Sequence, residues 1–239
     1  MKIWEQILNC LLPPRCMRCG KILKCNTGLC SDCFSEINFI TEPYCYKCGH
    51  PFEFMEEHGG KLLCGRCLKR KRSFFRLSRS AFAYDEVSKN LILNFKFHDK
   101  TENARILAQM MFVAGKDIFD AGIDVIIPVP LHYTRLIKRR YNQSALLANE
   151  LSELSGIKAD NLSLIRHKKT RPQVELSGME RQRNVRDVFS VKCPEQIKGR
   201  RVLLIDDVLT TGATLRECAR ALHKAGSKSI YTLTAGRVL

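Results

Sequence analysis

Val202-Leu203-Leu204-Ile205-Asp206-Asp207-Val208-Leu209-Thr210-Thr211-Gly212-Ala213-Thr214 decides the fold of this 239-residue chain. Four apolar, strand-forming residues run straight into two adjacent carboxylates. A small, hydroxyl-rich turn with one glycine follows, and then a helical pattern from Leu215 to Ala225. The order is buried strand, acidic strand end, phosphate loop, helix.

Each part has a chemical reason. In open α/β sheets, ligands bind beyond the carboxyl ends of parallel strands, which is where Asp206 and Asp207 emerge. The Thr210–Thr214 turn offers backbone N–H groups, hydroxyls and a helix N-terminus to an anion. Gly212 lets the main chain come close, because no Cβ stands in the way. Carboxylates beside a phosphate cradle repel an anionic ligand unless they bind ribose hydroxyls or a Mg²⁺ that neutralises phosphate. The ligand implied is a sugar with a 5′-phosphate.

The stretch resembles the loop of type I phosphoribosyltransferases that binds phosphoribosyl pyrophosphate (PRPP): two acids, two apolar residues, then Thr-Thr-Gly-x-Thr. Carried over by that resemblance, Asp206 and Asp207 hold the ribose 2′- and 3′-hydroxyls. Thr210, Thr211, Gly212, Ala213 and Thr214 form the loop that holds the 5′-phosphate. The competing reading is an acidic strand end followed by a helix N-capped by Thr210.

Length allows two modest domains, or one with a large appendage, and 45% hydrophobic residues suffice for a core. No run of about eighteen uninterrupted apolar residues exists, so no transmembrane helix is expected. Ile3, Trp4, Ile7, Leu8 and Leu11 fall at helical spacing, while Glu5 and Gln6 interrupt any signal-peptide core. The N-terminus thus reads as a short amphipathic docking helix of a cytoplasmic protein. Net charge is +16, from 40 Lys and Arg against 24 Asp and Glu, which favours polyanionic partners as well as phosphate ligands. Lys69, Arg70, Lys71, Arg72, Arg76 and Arg79 surround Phe74 and Phe75. Cations and stacking surfaces together suit single-stranded nucleic acid, although core burial of the two phenylalanines fits equally well.

Ten of the twelve cysteines lie in the first 67 residues, and eight form C-x-x-C pairs: Cys16/Cys19, Cys30/Cys33, Cys45/Cys48 and Cys64/Cys67. Each pair can clasp a metal with two thiolates, and two pairs complete a tetrahedral Zn²⁺ site. Gly20 and Gly49 follow the first and third pairs, where a knuckle turn needs a permissive backbone. Disulfides are the alternative, but no export signal is evident and cytosolic thiols stay reduced. Two structural zinc ions are expected, paired sequentially in the simplest arrangement, with interleaving left open. Cys10 and Cys25 lack partners at ligand spacing, and Cys193 and Cys218 read as packing residues.

Three segments are thus expected: a helix and double zinc ribbon over 1–68, a basic linker over 69–79, and an α/β domain over 80–239. Within the last, Ser80–Tyr84 reads as a strand, and Glu86–Phe97 and Arg105–Phe119 as helices. Asp124–Pro130 follows as a strand and Tyr141–Ser155 as a helix closed by Gly156. The alternation gives a parallel sheet with helices on both faces. After the strand at 124–130 comes a cationic segment whose place matches the pyrophosphate site of type I phosphoribosyltransferases. Arg135, Arg139 or Arg140 could make that contact; a solvated basic helix start is the plainer reading. His132 is weak evidence for acid–base chemistry. Residues 166–187 form a long polar loop, a candidate lid over pyrophosphate with Arg171, Gln173, Arg181 and Asn184 as its working residues.

Four features combine with the PRPP loop: the double ribbon, Pro128-Val129-Pro130-Leu131, Asn142-Gln143 after basic residues, and Arg181-x-x-Asn184-Val185. Together they resemble the ComF family of bacterial competence over essentially the whole chain. One departure is Arg140, where that family often has Gly before an aromatic residue and Asn-Gln, which leaves the conformation of this turn open. The resemblance implies a cytoplasmic role in natural transformation, acting with single-stranded DNA. A ComFA-like helicase and recombination-mediator proteins are the implied partners. If the chain is catalytic, Asp206, Asp207 and Mg²⁺ hold PRPP while pyrophosphate leaves and an acceptor attacks C1′. The rivals are a PRPP sensor or DNA-phosphate clamp without turnover and, less well supported, a nucleobase salvage transferase.

Overall fold

The structure, a computed structural model, describes residues 13–24, 28–53, 61–69, 73–97, 103–167 and 187–239. The expected N-terminal helix, Cys10, Cys25 and the lid residues Arg171, Gln173, Arg181 and Asn184 lie outside these.

The two ribbons contain short helices α1 (Ser31–Ser35) and α2 (Gly65–Lys69). Then follow β1 (Ser78–Ala83), α3 (Glu86–Phe97), α4 (Asn103–Ala114), α5 (Lys116–Asp120), β2 (Val125–Pro128), α6 (Tyr133–Arg139) and α7 (Gln143–Ser155). The rest is β3 (Leu164–Arg166), β4 (Phe189–Val191), β5 (Arg201–Leu209), α8 (Ala213–Lys224) and β6 (Ser229–Arg237). Four strands form a parallel sheet in the order β1-β6-β5-β2, and β3 and β4 form a separate antiparallel pair.

Strand alternation sorts the core into two faces. Ile126, Leu203, Ile205 and Leu233 pack against Leu107 and Met111 of α4 and Leu147 and Leu151 of α7. Val125, Ile127, Val202, Leu204 and Ile230 pack on the other face against Leu215, Cys218, Ala219 and Leu222 of α8. Both faces are therefore helix-covered, which is why these strands read as unbroken apolar runs. The ribbon joins the first of these cores: Met17, Leu29 and Ile37 belong to the cluster that holds Phe82, Leu91 and Phe95. Phe39 pairs antiparallel with Phe82, Ile40 N–H donates to Ala81 O at 3.0 Å, and Ala83 N–H donates to Asn38 O at 2.8 Å.

Three local differences from the sequence reading have physical causes. β1 begins at Ser78, inside the stretch read as linker, because Ser78 N–H donates to Lys47 O and Arg79 is held by the second ribbon. The helix expected over Arg105–Phe119 parts at Gly115 into α4 and α5. A Cβ there would lie 2.9 Å from Leu233 Cδ2, so the helix end meets β6 at a distance only glycine permits. The helix expected from Tyr141 begins at Gln143, since the Asn142 side chain accepts from Ser144 N–H and caps it.

The turn between α6 and α7 keeps a glycine-like conformation although Arg140 occupies it, with φ +65°. A side chain in the left-handed region costs about 1–2 kcal/mol. Arg140→Gly should therefore raise the melting temperature by roughly 2–8 °C, read by thermal denaturation. If Arg140 also contacts pyrophosphate, the same variant loses PRPP affinity while gaining stability.

Candidate phosphate-binding site and zinc centres

β5 carries the acidic pair past the end of its neighbour. Pro128 pairs with Ile205 and Val129 N–H donates to Ile205 O, so the chain leaves β2 abreast of Asp206. The basic helix α6 and the N-terminus of α7 thus rise beside the same sheet end. Ser144, buried at that N-terminus, donates its hydroxyl to Asp206 Oδ1 at 3.0 Å. Asp207 N–H donates to the same oxygen at 3.0 Å. One carboxylate is therefore fixed by two donors before any ligand arrives, the kind of preorganisation that binding of sugar hydroxyls or a hard cation requires.

Beyond Leu209 the backbone turns through Gly212, which has φ +69° and opens α8. A Cβ at Gly212 would meet Arg216 Nη1 and Leu209 Cδ1, both at 3.2 Å. Ala213 N–H donates to Thr211 Oγ1 at 3.4 Å, and Arg216 Nη1 to Thr211 O at 2.7 Å. The loop is thus shaped by its own hydroxyl and a cation from the first turn of α8, at a helix start suited to an anion.

His132 serves as a helix cap. Its ring is buried, caps α6 by accepting from Thr134 N–H, and hydrogen-bonds Thr134 Oγ1 at 2.9 Å. Arg139 lies near α7, with Nη1 3.4 Å from Gln143 Oε1. Arg135 and Arg140 sit on α6 and at its C-terminal end. Backbone position therefore brings the three arginines to the sheet end that carries the acids.

The eight cysteines gather as Cys16, Cys19, Cys30 and Cys33, and as Cys45, Cys48, Cys64 and Cys67, with all sulfurs of a group within 4.8 Å of one another. This is the sequential pairing. Zn–S bonds of about 2.3 Å place the sulfurs of a tetrahedron about 3.8 Å apart. The separations Cys19–Cys30 (3.8 Å) and Cys48–Cys64 (3.6 Å) match that edge, so both groups fit structural zinc. Gly20 and Gly49 make the knuckles, with positive φ and N–H groups donated to Cys16 O and Cys45 O. Burial opposes ionisation of Cys16 and Cys45, but backbone N–H groups outweigh it and hold the thiols at about 6 and about 7. Cys33 goes the other way, pushed up to about 12 by burial and by its sulfur neighbours. Four adjacent thiolates need a divalent cation to ionise together.

Residues 7–68 match the double zinc ribbon domain and residues 118–236 the phosphoribosyl transferase domain. Competence protein F of Haemophilus influenzae is 35% identical over 222 residues, covering 90% of this chain and 93% of that protein. The chain belongs to the ComF family. This ComF protein is also 31% identical to the DNA utilization protein YhgH of Escherichia coli K12, over 89% of the chain and 91% of the relative. Competence protein ComFC of Bacillus subtilis is 29% identical, over 89% and 86%. Among solved structures, the glutamine PRPP amidotransferase of B. subtilis matches at 18% identity with a TM-score of 0.40, over 59% of this chain and 30% of that one.

Two residues of this ComF site were not legible in its sequence. Ser144 fixes Asp206 across 62 positions of chain, and only its place just after the Asn142 cap hinted at a role. Arg237, buried at the end of β6, donates Nη1 to Cys48 O at 2.6 Å and joins the sheet to the second ribbon. Of the basic and aromatic cluster, Arg79 is consumed by the fold: it reaches Tyr46 O and Asp117 and lies 4.6 Å over the Tyr44 ring. Phe75 packs on the α8 core, whereas Phe74 stays exposed against His223. Arg70, Lys71 and Arg72 lie outside the described residues. Cys218 is fully buried, and burial pushes its thiol well up, as expected of a packing residue.

Proposed function

We propose that this chain binds PRPP with Mg²⁺ at the carboxyl end of β5 and works in the cytoplasm on or beside single-stranded DNA during DNA uptake. The observation that supports this most is the juxtaposition of a pre-oriented acidic pair with a glycine-opened helix start. In this reading Asp206 and Asp207 hold the ribose hydroxyls, and the backbone of 210–214 holds the 5′-phosphate. Arg135, Arg139 and Arg140, with Arg171 and Arg181, are the candidates for contacting the pyrophosphate. Bound Mg²⁺ would neutralise phosphate charge that otherwise repels the two acids. If the chain is catalytic, its own contribution is positioning and electrostatic stabilisation of departing pyrophosphate, without a covalent nucleophile.

Titration calorimetry with PRPP and Mg²⁺ tests the pocket, and pyrophosphate release across a panel of acceptors separates a transferase from a sensor. Binding without turnover on any acceptor favours the sensor; absence of binding removes the PRPP reading. The competence and DNA utilization relatives, together with the +16 charge, support the DNA part. Affinity for an oligothymidylate should fall steeply with salt, because each neutralised phosphate releases counterions. A flat salt profile would remove the DNA part.

A further inference from the structure

Three neighbouring parallel strands, β1, β6 and β5, start at the end of the sheet opposite the acids. The residues leading into them are basic: Arg76 before β1, Lys198 and Arg200 before β5, and Lys228 before β6. Backbone hydrogen bonds hold these leads together. Arg76 N–H donates to Ile230 O at 2.7 Å, Lys228 N–H to Arg200 O at 2.8 Å, and Gly199 N–H to Gly226 O at 2.8 Å. Lys224, in the last turn of α8, comes down to the same edge. All these side chains are exposed, and none forms an ion pair among the described residues. Little acid offsets them. Asp124 gives both its oxygens to Arg201, and Glu195 is the only acid between positions 194 and 200.

Phe74 stands at this edge. Its ring is 43% exposed and lies 6.0 Å from the His223 ring, edge to face. The backbone behind it is fixed: Ser73 Oγ accepts from Phe75 N–H and donates to Phe75 O, while Phe75 packs on the α8 core. A cation at a helix C-terminus complements its dipole, which accounts for Lys224. Arg76, Lys198, Arg200 and Lys228 lie on no helix, so their crowding needs another reason. Like charges gathered without acids repel one another in the free protein, and a polyanion relieves that repulsion. A fixed, exposed ring beside cations suits unpaired bases. A membrane surface would need a broader apolar face than the Phe74 ring supplies.

We propose that this end of the sheet is the surface that holds single-stranded DNA. Arg76, Lys198, Arg200, Lys224 and Lys228 take the phosphates, and a base stacks on Phe74. The proposal rests on the DNA reading above and gives it a contact surface. At about 3.3 Å per residue, Arg200 and Asp207 lie roughly 23 Å apart along β5, so DNA and PRPP occupy opposite ends of the sheet without competing.

The test titrates the full zinc-loaded chain with fluorescein-labelled oligothymidylate over a salt series and, separately, with PRPP and Mg²⁺. Lys198→Ala/Lys228→Ala should weaken oligothymidylate binding about tenfold at low salt. It should also flatten the logarithmic salt slope by about 1.4, because each single-strand phosphate contact contributes about 0.7. Phe74→Ala should weaken binding about fivefold or more with the slope unchanged, and Phe74→Trp should keep wild-type affinity. These positions are exposed, so melting temperature, zinc content and PRPP affinity should stay at wild-type values. Wild-type oligothymidylate affinity in either Phe74→Ala or the double variant overturns the proposal and leaves the DNA reading standing. A parallel loss of PRPP affinity also overturns it, as a general structural effect. Loss of binding to phosphatidylserine vesicles, with oligothymidylate affinity intact, assigns the surface to a membrane instead. A wild-type chain that binds no oligothymidylate removes the DNA reading, and this surface with it.

Discussion

Replacing Cys45 with serine should leave one zinc ion per chain in place of two and abolish cooperative folding of the second ribbon. Cys45 is fully buried, and its sulfur accepts from Cys64 N–H while its carbonyl accepts from Gly49 N–H. Structural zinc contributes roughly 10–16 kcal/mol in small ribbons, comparable with the entire stability of a domain at about 5–15 kcal/mol. The loss spreads beyond the ribbon. Tyr46 O holds Arg79, and Lys47 O holds the first residue of β1, so an unfolded knuckle releases the edge of the sheet. Metal analysis and thermal denaturation read the outcome; two zinc ions and an unchanged melt would refute the assignment. Cys193→Ser, outside both groups, should change stability by less than about 1 kcal/mol. Acid should mimic Cys45→Ser. Folding lowers the Cys16 and Cys45 thiols from 9.0 to about 6 and about 7, so the stability tied to their ionised forms is complete above pH 9 and declines as pH falls through 7 and 6. Zinc release and a falling melting temperature are expected between pH 7 and 5.

Asp207→Ala should weaken PRPP binding at least about 100-fold while leaving the fold intact. A hydrogen bond to a charged group contributes about 1.5–3 kcal/mol, and in the proposed pose the Asp207 carboxylate makes more than one such contact. About 2.7 kcal/mol already corresponds to a hundredfold. Stability should hold or rise slightly, because removing one of two adjacent acids relieves repulsion in the free protein. Ser144→Ala offers a graded companion. It leaves both carboxylates but frees Asp206 from its donor, so a loss of about tenfold is expected from looser positioning. PRPP affinity unchanged in both variants would show that the sugar sits elsewhere.

The parts visible in the sequence are those whose chemistry is local. Asp206 to Thr214 is contiguous, and its apolar lead, acids and glycine each follow from one strand-to-helix turn. The C-x-x-C pairs are equally local, since a knuckle binds metal with neighbours three residues apart. Helices α3 and α8 were legible because their apolar spacing continues to their ends. What escaped depends on distant partners. Gly115 breaks a helix because Leu233 lies beneath it, and no pattern around residue 115 announces that. Ser144 and Arg237 matter through contacts 62 and 189 positions away in sequence. Arg79 looked like part of a basic cluster because charge shows in composition, while the Asp117 and Tyr44 that neutralise and cover it do not adjoin it.

The antiparallel pairing of Phe39 with Phe82 has a bearing on solubility. It occupies the outer hydrogen-bonding rim of β1, which would otherwise be open to strands of other molecules. The zinc-bearing segment therefore acts as a built-in guard against intermolecular sheet growth. Loss of zinc would then uncover that rim and favour aggregation.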